Sequence, residues 1–149
     1  MKAQRFASTN RDKVTLSISV AIMVLALVVL AGWHAHIRAV VQIFHGLVPM
    51  QYNTALCFLA LGLAGIGLAT RRRLLLLVGG SFAALMGATV ILEYATGISF
   101  GIDTFFFYPW ERALSADPGR MALTTAISFF LTGGTLVILG VRQDAYAIL

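Results

Sequence analysis

The side chains able to do chemistry in this chain are few, and they sit at the edges of long apolar runs. Glu93 is the one acidic residue inside such a run, where an ionised group is costly unless it is paired or hydrated. Two roles are open to it: a local one (a hydrogen bond to a neighbouring helix or a pair with Arg120), or a ligand or proton role. Asn53 and Thr54 begin one apolar run, and Thr124 and Thr125 begin another. These four could meet Glu93 at one depth, with Asp103 in the connection that follows it. Asn53 and Thr124 are equally suited to cap their helices, since Asn and Thr side chains accept hydrogen bonds from free N–H groups.

Other chemistries find little support. His34, His36 and His45 are weak metal candidates, because metal sites place histidines on rigid elements with supporting partners. No histidine falls deep in an apolar run, as haem between helices would want. The chain has no glycine-rich phosphate loop, no nucleophile elbow and no His-Glu-x-x-His helix. No lysine lies in an apolar run to form a retinal Schiff base. The expectation is a protein that is not an enzyme, and no cofactor is assigned.

Composition supplies the elements that must position these groups. Of 149 residues, 59% are apolar and 11% charged, which places the chain among integral membrane proteins. Four runs, 14–33, 52–70, 74–94 and 121–141, are long enough to cross about 30 Å of hydrocarbon, and in lipid they must be helices. None contains proline, and no charged path crosses the midplane, which argues against transport. The first run exceeds a secretion signal's apolar core and lacks a cleavage pattern, so it is read as retained. Eight Lys and Arg residues (2, 5, 11, 13, 71, 72, 73 and 142) flank one side, and three (38, 112 and 120) the other. That asymmetry predicts cytoplasmic N and C termini, and it explains the net charge of +5 without nucleic acid. The single cysteine, Cys57, permits no internal disulfide.

A repeat organises the spans. Met50–Gly62 (MQYNTALCFLALG) matches Met121–Gly133 (MALTTAISFFLTG) at an offset of 71, with Met50/Met121, Thr54/Thr125, Ala55/Ala126, Phe58/Phe129 and Gly62/Gly133 identical. The expected fold is all-α: one membrane domain over 1–149, a four-transmembrane-helix bundle of two parallel-related hairpins about a pseudo-two-fold axis along the membrane normal. Small residues at four-residue spacing, such as Ala60/Ala64, Gly80/Ala84/Ala88 and Ala83/Gly87, favour close helix packing. Segment 35–48 is expected to form a short amphipathic interfacial helix. The outer loop 95–120 carries Asp103–Trp110, DTFFFYPW, whose aromatics form either an anchoring collar or a lid over a cleft.

Residues Pro49–Gly62, Leu92-Glu93-Tyr94, Gly101-Ile102-Asp103, Gly119-Arg120-Met121 and Thr125-Ala126 together resemble a bacterial four-helix membrane region. That region is found N-terminal to sensor histidine kinases, PAS-domain proteins and diguanylate cyclases. The similarity covers about residues 14–141. It implies a sensory input module in the bacterial inner membrane that signals through its last helix, and it marks Asn53, Thr54, Glu93, Asp103, Arg120, Met121 and Thr125 as motif positions. The output domains usual to the family do not appear in these residues. The expectation is therefore either an input domain on its own or a stand-alone protein working through a membrane partner. Expected partners are lipids and a homodimer or other membrane subunits. The competing expectation is a small accessory subunit of a larger, energy-transducing membrane complex.

Overall fold

A computed structural model describes residues 2–42, 48–110 and 119–145, with side chains described for 10–42, 48–110 and 119–142. Four long helices carry the expected spans: α1 (Lys2–His34), α3 (Tyr52–Thr70), α4 (Arg73–Thr96) and α6 (Leu123–Ala145). The stretches long and apolar enough to cross a membrane are Asn10–His34, Tyr52–Thr70, Arg73–Thr96 and Leu123–Arg142, within about a turn of the expected bounds. Two four-residue helices, α2 (Arg38–Val41) and α5 (Ile102–Phe105), lie in the connections.

Each long helix packs mainly on its neighbour in the chain: α1 on α3, α3 on α4, α4 on α6, with only slight contact between α3 and α6. Burial follows from this order. The spanning windows of α3 and α4 are each 39% buried, against 17% for α1 and 22% for α6, so the flanking helices offer most of their surface to lipid.

Close backbone approach holds the pairs together. A Cβ on Gly87 would lie 2.5 Å from the Ala126 carbonyl oxygen and 2.7 Å from the Phe130 nitrogen. A Cβ on Gly133 would lie 2.5 Å from the Gly80 carbonyl oxygen. Gly79 meets the Ala60 carbonyl of α3 in the same manner, and Gly62 meets Met23 and Ser19 of α1. In lipid, where apolar surface gains little by leaving its solvent, such contacts and their dispersion energy drive association. The repeat-equivalent glycines thus play matching parts: Gly62 seats α3 on α1, and Gly133 seats α6 on α4. Phe58 and Phe129, also equivalent, meet edge to face at 5.1 Å between ring centroids.

The arginine turn between α3 and α4 is as short as expected. Arg71 adopts the left-handed region at φ 56°, and the Arg72 N–H reaches the Gly67 carbonyl at 2.8 Å, closing the helix end in Schellman fashion. Gly67 must be glycine, because a Cβ there would lie 2.6 Å from the Leu76 nitrogen.

Of the short helix expected within 35–48, the described residues show a single turn. His36 is left-handed at φ 57°, Ile37 and Gln42 are extended, and helix occupies only Arg38–Val41. Val41 is buried against Val29, Trp33 and Ala55, and its carbonyl accepts a 2.8 Å bond from the Met50 N–H. Those two ties draw the chain inward toward α3 rather than along a surface. Residues 43–47, including Phe44 and His45, lie outside the described residues.

Candidate functional site

The end of the molecule opposite the arginine turn gathers the close of α1 and α4, the openings of α3 and α6, and the described parts of the connections between them. Beneath it lies an apolar cluster of Cys57, Met86, Val90, Met121, Ala126 and Phe129. One helical turn (3.6 residues) beyond this cluster, α3 presents Asn53 on the row of Cys57. Likewise α4 carries Glu93 three residues beyond Val90, and Arg120 immediately precedes Met121. A polar layer therefore sits directly on an apolar one.

Glu93 is fully buried, at 0% exposure. Its Oε1 accepts the Phe100 N–H at 2.7 Å, and its Oε2 lies 3.6 Å from Arg120 Nε. The same Nε donates to Asp103 Oδ2 at 2.8 Å. Among the described residues, two carboxylates thus face one guanidinium, which is also stacked over the Tyr94 ring at 5.6 Å. The Tyr94 hydroxyl in turn donates to the Met121 carbonyl at 3.2 Å. Of the local roles expected for Glu93, the pair with Arg120 is the one present, and Asp103 competes for it.

Local backbone conformations make the cluster possible. Gly97 ends α4 in the left-handed region at φ 70°, its N–H on the Glu93 carbonyl, and Gly101, at φ 76°, opens α5. These two turns fold the chain back over Glu93. Gly119 is left-handed at φ 87° and lies against the Asp103 carbonyl, leaving no room for a side chain. Burial pushes the Asp103 carboxyl up to about 6, the charge of Glu93 adds to this, and Arg120 opposes it. Taking a carboxylate out of water disfavours its charged form, and at Asp103 the guanidinium does not offset that.

Asn53 is the second notable group. It is 2% exposed, and neither its Oδ1 nor its Nδ2 has a hydrogen-bond partner. The capping role is overturned: the residue ahead of α3 is Gln51, which makes no side-chain capping bond, and Asn53 lies within the first turn. Buried and also without hydrogen-bond partners are Glu93 Oε2, Asp103 Oδ1 and Gln51 Oε1. Thr54 is buried on α3. Thr124 is exposed and Thr125 half-buried on the opening turn of α6, so the two copies of the motif occupy unlike surroundings. Of the expected set, Glu93, Asp103 and Arg120 come together, Asn53 is buried in the first turn of α3, and Thr124 faces outward.

The aromatic loop divides its residues. Phe107 stacks on Tyr52 at 4.9 Å and 13°, and Trp110 meets Trp33 edge-on at 5.4 Å. Trp33 is fully buried and donates Nε1–H to the Met50 carbonyl at 2.9 Å, while Trp110 donates to the Trp33 carbonyl at 3.0 Å. Phe105 and Tyr108, by contrast, are exposed. His34 is within 3.1 Å of the Tyr52 hydroxyl, and His36 stacks loosely on Trp110. Among the described residues no three His, Cys, Asp or Glu side chains converge. Sequence reasoning missed Gln51 and Trp33, and gave Trp110 only its place in the aromatic loop. Tryptophan at a span end reads as an interface anchor, and only packing shows that Trp33 is instead the pin of the loop.

The chain is an all-helical, multi-pass membrane protein by the length and apolar character of its four spans. No family model, no curated protein and no solved structure matches it.

Proposed function

We propose that this protein is a membrane-embedded sensory or input module, not an enzyme. In this reading it binds a small ligand at the polar end and passes the change along α6. The observation that carries this is fully buried Glu93, whose carboxylate faces three segments at once: α4, the loop at Phe100, and Arg120 at the approach to α6. Packing alone does not require an acid there, and a buried acid is costly to keep. A change in its charge or partners would bear directly on the start of α6.

Several sequence features support the same account. Basic residues crowd the arginine-turn side, in keeping with cytoplasmic termini and a bacterial inner-membrane location. The matching contacts of Gly62 and Gly133 suit two parallel-related hairpins, α1–α3 and α4–α6. The resemblance to input regions of sensor kinases and cyclases places signalling in the last helix. The proposed mechanism is a shift of the α4–α6 hairpin against α1–α3, with lipids and a homodimer or other membrane subunits as partners.

The test is a distance between the cytoplasmic ends of α3 and α6. Spin labels at Thr70→Cys and Val141→Cys, in a Cys57→Ala background, report it. Glu93→Gln removes the charge and keeps the shape, and a change of about 1–2 Å or more in the label distance is expected, the scale of helix shifts in switching proteins. Superimposable distance distributions in the parent, Glu93→Gln and Arg120→Gln, all helical by circular dichroism, would sink the mechanism. An accessory subunit is the second reading, favoured by the outward Phe105 and Tyr108, 75% and 63% exposed. Mild solubilisation separates the two: a stoichiometric partner complex supports the subunit, a homodimer the module.

A further inference from the structure

The unmet hydrogen-bonding groups at the polar end are nearly all acceptors. Glu93 Oε2, Asp103 Oδ1, Asn53 Oδ1 and Gln51 Oε1 are buried without a hydrogen-bond partner, against a single donor group, Asn53 Nδ2. A buried acceptor left without a donor bears its whole desolvation cost. The layer also has a sign: among the described residues, two carboxylates face one guanidinium. Helix geometry brings the groups toward one another. Each Cα–Cβ bond tilts toward the N-terminus of its own helix. Asn53, in the first turn of α3, therefore leans toward the polar end, while Glu93, near the close of antiparallel α4, leans back toward the level of Asn53.

We propose that this layer is a binding site for a primary ammonium group. The proposal rests on the ligand-binding reading above and specifies the ligand's chemical class. An ammonium offers three N–H donors on one compact positive charge, suited to the Glu93 and Asp103 carboxylates that meet at Arg120, with buried Asn53 of the neighbouring helix a further acceptor. Its charge balances the second carboxylate. An anion has the wrong sign, an apolar ligand leaves the acceptors unmet, and a quaternary ammonium has no N–H to donate. A divalent metal suits the site poorly: Arg120 already supplies positive charge, and no three carboxylate, imidazole or thiol groups converge among the described residues.

The way in is the strap from Gly97 to Gly101. Both glycines are left-handed with open space around them, and the strap is fastened to the site by the Phe100 N–H on Glu93 Oε1. Breaking that bond lifts the strap and frees Oε1 of Glu93, while Oε2 stays beside Arg120. Exposed Ile98 and Phe100 flank the entrance. The ammonium could come from either of two sources: the amine headgroup of a phosphatidylethanolamine-type lipid, or a free amine.

The experiment follows thermal unfolding of the full chain in detergent and in nanodiscs, with methylammonium, tetramethylammonium or sodium chloride at equal ionic strength. A saturable rise in melting temperature with methylammonium alone is expected. Its apparent affinity should weaken about tenfold or more in Asn53→Leu and in Glu93→Gln, the loss of a charge-assisted hydrogen bond, with helical content of both variants unchanged. If lipid is the source, phosphatidylethanolamine discs will be stabilised relative to phosphatidylcholine discs, and methylammonium will add little to them. If a free amine is the source, both kinds of disc will respond to methylammonium alike. Equal shifts with tetramethylammonium or sodium, or no shift with any of these in any medium, overturn the proposal. If the amine arms are flat while Glu93→Gln still changes the Thr70–Val141 distance, the ammonium fails and the input module stands. If the amine binds and that distance never responds, the module fails and the site stands.

Discussion

Replacing Asn53 by leucine should make the protein more stable, the reverse of what a buried-residue substitution usually does. The side chain is 2% exposed, and both of its polar atoms lack a partner. Burying an amide without its hydrogen bonds costs about 1–3 kcal/mol on mutational scales. Leucine is close in volume, has no polar atom to desolvate, and sits one turn above the apolar cluster of Cys57, Val90 and Met121. The expected gain is therefore about 1–3 kcal/mol. At roughly 2–4 °C per kcal/mol for a chain of this size, the melting temperature should rise by about 2–12 °C. Far-UV circular dichroism in detergent without added amine measures it. Asn53→Ala serves as the control for steric misfit, since it removes the amide without filling the space. A loss of more than about 1 kcal/mol in both variants would refute the reasoning. It would mean that the amide is satisfied, by a held water or by the helix start, and that its presence needs no ligand.

Three further outcomes follow from the same structure. Gly87→Ala should destabilise by at least about 1–3 kcal/mol, because its Cβ would meet backbone atoms of α6 at 2.5 and 2.7 Å. Gly134→Ala, with nothing within 4 Å, should be neutral or stabilising by up to about 1 kcal/mol; thermal melts of the pair check both. Asp103, raised from 3.8 to about 6 by burial and by Glu93 against the pull of Arg120, binds more protons folded than unfolded between those values. Stability should be highest below about pH 4, fall as the pH rises through about 6 and level off above, and Asp103→Asn should flatten that slope in melts from pH 4 to 8. Trp33→Phe deprives the Met50 carbonyl of its 2.9 Å donor and thins the contact with Trp110. It should cost about 1–3 kcal/mol, and should loosen 105–110 first, read by hydrogen exchange there.

Much of the fold was legible in the chain because lipid is a simple solvent. A run of apolar residues as long as 74–94 has no alternative to a helix, so the spans fell within about a turn of their observed ends. The short turn expected at Arg71–Arg73 was equally plain, since only those residues separate the two expected spans; α4 begins one residue earlier, at Arg73. Small-residue spacing identified packing faces but not their targets. Gly80 and Gly87 face α6, whereas Gly79, one position from Gly80, faces α3. A shift of one residue rotates a helix by about 100°, enough to change the partner. Of the interfacial helix expected in 35–48, the described residues show Arg38–Val41, and amphipathic spacing says nothing of the Val41–Met50 bond, a contact between segments that no local pattern encodes.

The sequence singled out the candidate residues of the site but not their arrangement. Glu93 stood out because charge inside an apolar run is rare, and the pair with Arg120 could be anticipated. That Asp103 holds the shorter bond to Arg120 depends on two left-handed glycines, Gly97 and Gly101, folding the loop back. Asn53 and Thr124 share a place in the repeat, yet one is buried without partners and the other faces outward. Equivalent positions acquire unlike surroundings because α3 lies between two helices while α6 packs chiefly on one.

The sequence by itself therefore determined the class of protein, the number and bounds of its spans, and the short list of groups able to carry function. These are properties of single segments in a low-dielectric solvent, and periodicity and composition express them directly. Only the tertiary structure decided which glycines let which backbones touch, that Trp33 pins the loop, and that Glu93 and Asp103 meet at Arg120. Those outcomes depend on distances between residues far apart in the chain, and a backbone displacement of an ångström or two would undo them.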